Sequence, residues 1–108
     1  MTFPPLKSPL KFYAVVPTAD WVRRMVQAGA DTVQLRCKTL SGEALRREIA
    51  ECVAACAGSK TQLFINDHWR EAVAAGAYGV HLGQEDMDTA DLAAIAAAGL
   101  RQIGRAHV

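Results

Sequence analysis

Apolar runs and polar punctuation alternate along this chain in a regular way. Phe12–Val16 is a short β-rich run closed by Pro17, a first strand. Thr18 then caps a helix with Asp20 in its first turn, and Trp21, Val22, Met25 and Val26 keep helical spacing up to Gly29. Residues 30–38 form a second strand. Ser41 caps the next helix, which carries Leu45, Ile49, Cys52, Val53 and Cys56 on one face and stops at Gly58. Gln62–Ile65 is a third strand running into Asn66, Asp67 and His68, followed by a short helix from Trp69 to Ala75. Tyr78–Leu82 is a fourth strand leading to Gly83, Gln84, Glu85 and Asp86. Asp88, with Asp91 three residues on, resembles a capping arrangement for a helix over 92–98, and Leu100–Ile103 opens a fifth strand. Residues 1–11, with Pro4, Pro5 and Pro9, read as an irregular lead-in.

One stretch repeats. Ala28-Gly29-Ala30-Asp31-Thr32-Val33-Gln34-Leu35 is echoed by Ala75-Gly76-Ala77-Tyr78-Gly79-Val80-His81-Leu82, and Ala98-Gly99-Leu100 repeats its opening. Each copy is a helix end, a glycine stop and a strand, as a repeated βα unit would read. Alternating strands and helices with short connections predict a parallel sheet wrapped by helices. Pattern alone leaves a doubly wound sheet and a (β/α)8 barrel both open. The first βα turn, Val16-Pro17-Thr18-Ala19-Asp20, has no glycine-rich phosphate loop, which counts against a dinucleotide fold.

The chain has 108 residues, enough for one small core, and 51% of them are apolar. A net charge of +1 without a basic stripe argues against nucleic acid and anionic membrane surfaces. No segment approaches the roughly 18 apolar residues of a spanning helix, and Met1–Pro5 lacks the features of a signal peptide. Three cysteines without framework spacing favour free thiols in a reducing, cytoplasmic compartment. Cys52 and Cys56 lie one turn apart on an apolar stripe and read as core rather than metal ligands. Trp21 and Trp69 read as packing groups. His68 and His81 lack the spacing of a zinc pair, and His81 reads as a satisfied barrel histidine.

What periodicity leaves unexplained is polar and falls after strands. On a strand, Gln34, Arg36 and Lys38 share one face while Val33, Leu35 and Cys37 take the other. An edge strand with a solvated face would explain that locally. If the strand is buried on both faces, two fixed cations instead call for an anion. Asn66 and Asp67 follow the third strand, and Gln84 and Asp86 the fourth. A helix cap at Asp67 or Asp86 is the plain alternative at each site, with Glu85 and Asp88 as rival acids. Parallel strands point the same way, so the three groups should converge on one rim. Two carboxylates, an amide and two cations suit a Mg²⁺-bound diphosphate.

Gln34-Leu35-Arg36-Cys37-Lys38, Phe64-Ile65-Asn66-Asp67 and Gly79-Val80-His81-Leu82-Gly83-Gln84-Glu85-Asp86, in that order, resemble the N-terminal half of thiamine phosphate synthase, over roughly Phe12–Leu100. The resemblance implies the first four βα units, and the start of strand five, of a (β/α)8 TIM barrel. It implies joining of hydroxymethylpyrimidine diphosphate to thiazole phosphate, with release of pyrophosphate. Position by position it implies that Gln34, Leu35, Arg36, Cys37, Lys38 and Asn66 bind the pyrimidine diphosphate. Asp67 and Asp86 would hold Mg²⁺, and Arg36 and Lys38 would stabilise the departing diphosphate. A thiazole tautomerase paralogue on a similar barrel would not need that set. A non-catalytic phosphate-binding half barrel is the alternative from another class.

The resemblance also implies what is lacking. A (β/α)8 barrel takes about 250 residues, and the serine, threonine-rich loop, lysine and glycine-rich phosphate site of the family's second half have no counterpart here. The ending Ile103-Gly104-Arg105-Ala106-His107-Val108 can be encoded by ATC GGA AGA GCA CAC GTC, which matches a common sequencing adapter. The expectation is a native segment over 12–101 and a non-native tail over 102–108. Resequencing the locus beyond codon 101 is expected to show a sequence other than this tail there; a continuous native frame that keeps this tail and then terminates would overturn it.

Overall fold

The computed structural model describes residues 13–82 and 92–104, with side chains from Ala14 to Arg101 within them. Five parallel strands lie side by side in chain order: β1 (Tyr13–Val16), β2 (Thr32–Leu35), β3 (Gln62–Asn66), β4 (Gly79–Leu82) and β5 (Arg101–Gly104). Helices α1 (Ala19–Gln27), α2 (Gly42–Cys56), α3 (Trp69–Ala75) and α4 (Leu92–Ala97) connect them, α4 preceding β5. A doubly wound sheet reverses its strand order at a switch point. This one never reverses, and that decides between the two architectures the pattern left open.

The strand period of two divides the sheet into unlike faces. Val16, Val33, Leu35, Leu63, Ile65, Val80 and Leu82 form one core with Val22 of α1, Ile49 and Cys52 of α2, Ala72 of α3 and Ile95 of α4. The opposite face pairs Thr32 with Gln62, Gln34 with Phe64, Phe64 with Gly79, and Asn66 with His81 across neighbouring strands. Buried polar groups there need partners. Tyr78 donates its hydroxyl to Gln62 Oε1 at 2.8 Å, and Gln62 Nε2 donates to Thr32 Oγ1 at 3.1 Å. Phe64 packs edge-on against Tyr78, 5.7 Å between ring centres. Gly79 leaves it room, since a Cβ there would lie 2.5 Å from the Phe64 ring and 2.6 Å from the Arg101 carbonyl.

The repeated Ala-Gly stretch acquires a physical meaning. After α1, α3 and α4 the residue following the glycine donates back over the last turn: Ala30 to Met25, Ala77 to Ala72, and Leu100 to Ile95, at 3.0, 3.0 and 3.2 Å. The glycine before it sits at φ +86°, +72° and +84° respectively, where a side chain would be strained. Ala30, Ala77 and Leu100 are themselves buried. One local motif therefore both ends a helix and seats the next strand.

Several expectations shift. β2 ends at Leu35, not Lys38: beyond it Arg36 still donates its N–H to the Val16 carbonyl at 2.9 Å, but Pro17 closes β1 on that side. Ser41 occupies the N-cap of α2 without a side-chain capping bond. Trp21 is 43% exposed beneath the Arg24 guanidinium rather than packed. The expected Asp88 and Asp91 cap lies outside the described residues.

Thr18 caps α1 as expected, accepting from the Trp21 N–H at 3.3 Å. A second acceptor comes from α2, where Glu48 Oε2 takes the Ala19 N–H at 2.7 Å, placing a carboxylate at the positive end of the α1 dipole. Nearby, Arg23 bridges Asp20 and Glu51 on the exposed side. Glu48→Ala is expected to destabilise the chain by about 1 kcal/mol, read as a lower urea midpoint, with Glu48→Gln intermediate.

Candidate functional site

The polar residues singled out by sequence sit at the C-terminal ends of β2 and β3, and hydrogen bonds from β4 hold the β3 end. Gln34 lies on the inward face of β2 and is buried. Arg36 and Lys38 follow in the β2–α2 loop with exposed side chains. Leu35 and Cys37 turn the other way into the helix-side core. The Cys37 carbonyl accepts from His68 Nε2 at 3.0 Å, tying this loop to the one after β3 and fixing the proton on that ring nitrogen.

Asn66 is the last residue of β3 and is 8% exposed. Its Oδ1 accepts from His81 Nδ1 at 3.0 Å, and the next backbone N–H, of Asp67, donates to the His81 carbonyl at 2.9 Å. Two tight turns follow. His68 N–H bonds to the Asn66 carbonyl and Trp69 N–H to the Asp67 carbonyl, both at 2.8 Å. The first turn holds Asp67 at φ +68°, the only non-glycine positive φ among the described residues, and the second holds His68 at φ −81°, ψ 63°. A non-glycine residue in that region costs of order 1–3 kcal/mol and persists where its surroundings dictate it.

Charges from both loops reach the His81 ring. Burial, first, pushes its pKa below the ordinary 6.5; Arg36 pushes the same way and Asp67 opposes them. Arg36 follows β2 and Asp67 follows β3, neighbouring parallel strands, so both lie at the same end of the sheet. Asp86, with Gln84 and Glu85, lies outside the described residues, and among the described residues no three metal-ligating side chains cluster.

Burial pushes the Cys52 thiol up to about 12 and the Cys56 thiol up to about 11, away from the thiolate form. A cavity of about 450 Å³ among Cys56, Ser59, Gly76, Tyr78, Gly99 and Arg101 lies at the opposite end of the strands and touches none of the rim residues. In barrels that end serves stability. His81 was legible as an inward-facing histidine, but its bond to Asn66 was not, because strand register is needed to see it.

Sequential parallel strands, helices packed on one face and a polar rim at the strand C-termini define part of a βα barrel, with its ligand-binding end. Comparison with known proteins narrows this. Residues 12–105 match the family described as Thiamine monophosphate synthase. Over 101 residues the chain is 87% identical to the thiamine-phosphate synthase of Neisseria meningitidis serogroup B and 88% identical to that of Neisseria gonorrhoeae, covering 94% of this chain and 49% of each relative. The Serratia proteamaculans relative is 50% identical over 99 residues. The chain spans about half the length of these relatives. Among solved structures, a thiamine phosphate pyrophosphorylase from Pyrococcus furiosus superposes with a TM-score of 0.66 at 28% identity, over 72% of this chain and 41% of that one. The chain belongs to the thiamine monophosphate synthase family.

Asp67→Gly should relieve the backbone strain at φ +68° and raise stability by about 1 kcal/mol after glycine's entropy cost. Urea unfolding measures it; a less stable variant would mean that contacts of the Asp67 side chain outweigh the strain.

Proposed function

We propose that this chain is the N-terminal half of a thiamine phosphate synthase barrel and carries the pyrimidine diphosphate half of its active site. Family membership across residues 12–105 carries the reading. In it, hydroxymethylpyrimidine diphosphate sits over the rim and thiazole phosphate is bound by the half that the relatives possess beyond this length. The free thiols Cys37, Cys52 and Cys56 fit a cytoplasmic setting.

The residues present fit a magnesium ion. Asp67 offers a hard carboxylate on a half-buried, conformationally fixed loop beside the Asn66 amide, a donor set that suits Mg²⁺ together with water and phosphate oxygens. Asp67 and Asp86 would hold it. When bound, it neutralises charge on the diphosphate as that group departs. Arg36 and Lys38, exposed at the β2 end, meet the rest of that charge: Arg36 by paired hydrogen bonds, Lys38 as a point charge. Asn66 and the main chain of Leu35 and Cys37 orient the substrate, and Gln34 lines the inner wall. The C–O bond to the diphosphate breaks, and the thiazole nitrogen supplies the electron pair for the new C–N bond. Charge separation is the barrier, so positioned cations are what the chemistry asks of the protein. No protein nucleophile takes part.

Calorimetry with hydroxymethylpyrimidine diphosphate tests the reading. Binding should require Mg²⁺ and should be lost in Asp67→Ala. Metal-indifferent binding would favour a non-catalytic phosphate-binding half barrel or a tautomerase-like site. The 108-residue chain alone is expected to show no turnover with both substrates and Mg²⁺; measurable turnover would show that this half suffices.

A further inference from the structure

We propose that His81 is a positioning residue for Asn66: its Nδ1–H holds the Asn66 side-chain oxygen, so that the amide nitrogen faces the rim and donates to the anion bound there. The proposal rests on the diphosphate reading above and adds a residue which that reading does not use.

The geometry is closed from several sides. Asn66 and His81 are register partners on adjacent parallel strands, facing the same side of the sheet. Their side chains meet at 3.0 Å, and the main chain is clamped beside them by Asp67 N–H on the His81 carbonyl at 2.9 Å. An amide oxygen only accepts, so this bond sets both the histidine tautomer and the rotation of the amide. The other end of the amide has no such anchor among the described residues. No buried side-chain nitrogen or oxygen among them lacks a partner, so Asn66 Nδ2, which has no hydrogen bond there, is not sealed off from a ligand. That end matters. Nδ2 presents two donors to a diphosphate, whereas an amide turned over would present lone pairs to it. Orientation therefore changes the sign of the interaction, and His81 is the group that fixes orientation.

Two substitutions separate this from a merely structural role. His81→Asn sets an amide nitrogen near the place of Nδ1 and keeps the donor; His81→Phe keeps a ring without it. His81→Gln, whose amide falls near Nε2 instead, should behave like His81→Phe and serves if the latter fails to fold. In the ¹⁵N-labelled full chain, NMR should find His81 Nδ1 protonated and the Asn66 side-chain amide in a single orientation, losing that order in His81→Phe. By calorimetry with Mg²⁺ and hydroxymethylpyrimidine diphosphate, His81→Phe and Asn66→Ala should each weaken binding by about tenfold, and the double variant no further. His81→Asn should restore affinity to within about threefold of the parent. Additive losses, or His81→Asn as weak as His81→Phe, would overturn the proposal. A parent chain that binds no diphosphate overturns the functional reading, whereas Nδ1 found without its proton overturns the positioning alone.

Discussion

The rim of this protein hangs on the pairing of β3 with β4. That pairing sets Asn66 beside His81 and lets the Asp67 N–H reach the His81 carbonyl, so the last strand residue and the first loop residue are both anchored to a neighbouring strand. His68 then carries the constraint outward, its ring donating to the Cys37 carbonyl beyond β2. Two loops and the end of β4, which share no sequence neighbourhood, are thereby fixed relative to one another by backbone and imidazole hydrogen bonds. The exposed cations of Arg36 and Lys38 make no such contribution; they are carried by the loop that His68 ties down. Exposed charged side chains on a fixed main chain would suit the proposed site, which must meet an anion and later release it.

That anchoring has a counterpart in strain. Asp67 occupies a backbone region that favours glycine, and two successive three-residue turns keep it there. A glycine would hold the turn more cheaply, but would bring no carboxylate. Burial on both sides of the sheet opposes this cost: Phe64 and Ile65, leading into the turn, are fully buried on opposite faces of β3. A buried strand can impose a conformation on the residues that follow it, which a solvated loop of the same sequence could not do.

Much of the architecture was legible because it is written locally. The Ala-Gly echoes mark helix ends whose carbonyls must be satisfied within a few residues, and each is satisfied by the same backbone bond. Thr18 was legible as a cap for the same reason. The alternation through Gln34, Arg36 and Lys38 was misleading about the length of β2. On the β1 side the pairing stops early, because Pro17 follows the last residue of β1. Glu48 at the start of α1 was out of reach, since it depends on how α1 and α2 sit together. The site divides in the same way. Asn66 and Asp67 stood out as polar residues after an apolar strand, while the role of His81 required the β3–β4 register.

The inward face of the sheet bears on how so short a chain can hold such a rim. That face carries Thr32, Gln62, Asn66 and His81, residues that an apolar partner sheet would leave unsatisfied. Within the described residues they bond along the sheet instead: Tyr78 to Gln62 to Thr32 at one end, His81 to Asn66 at the other, with Phe64 and Gly79 packed between. Side-chain bonds that run across neighbouring strands fix register and twist without help from the far side of a barrel. The Asn66–His81 bond is then a property of β3 and β4 themselves, set before any further strand closes over it, and the proposed diphosphate site could be preorganised within this part of the fold.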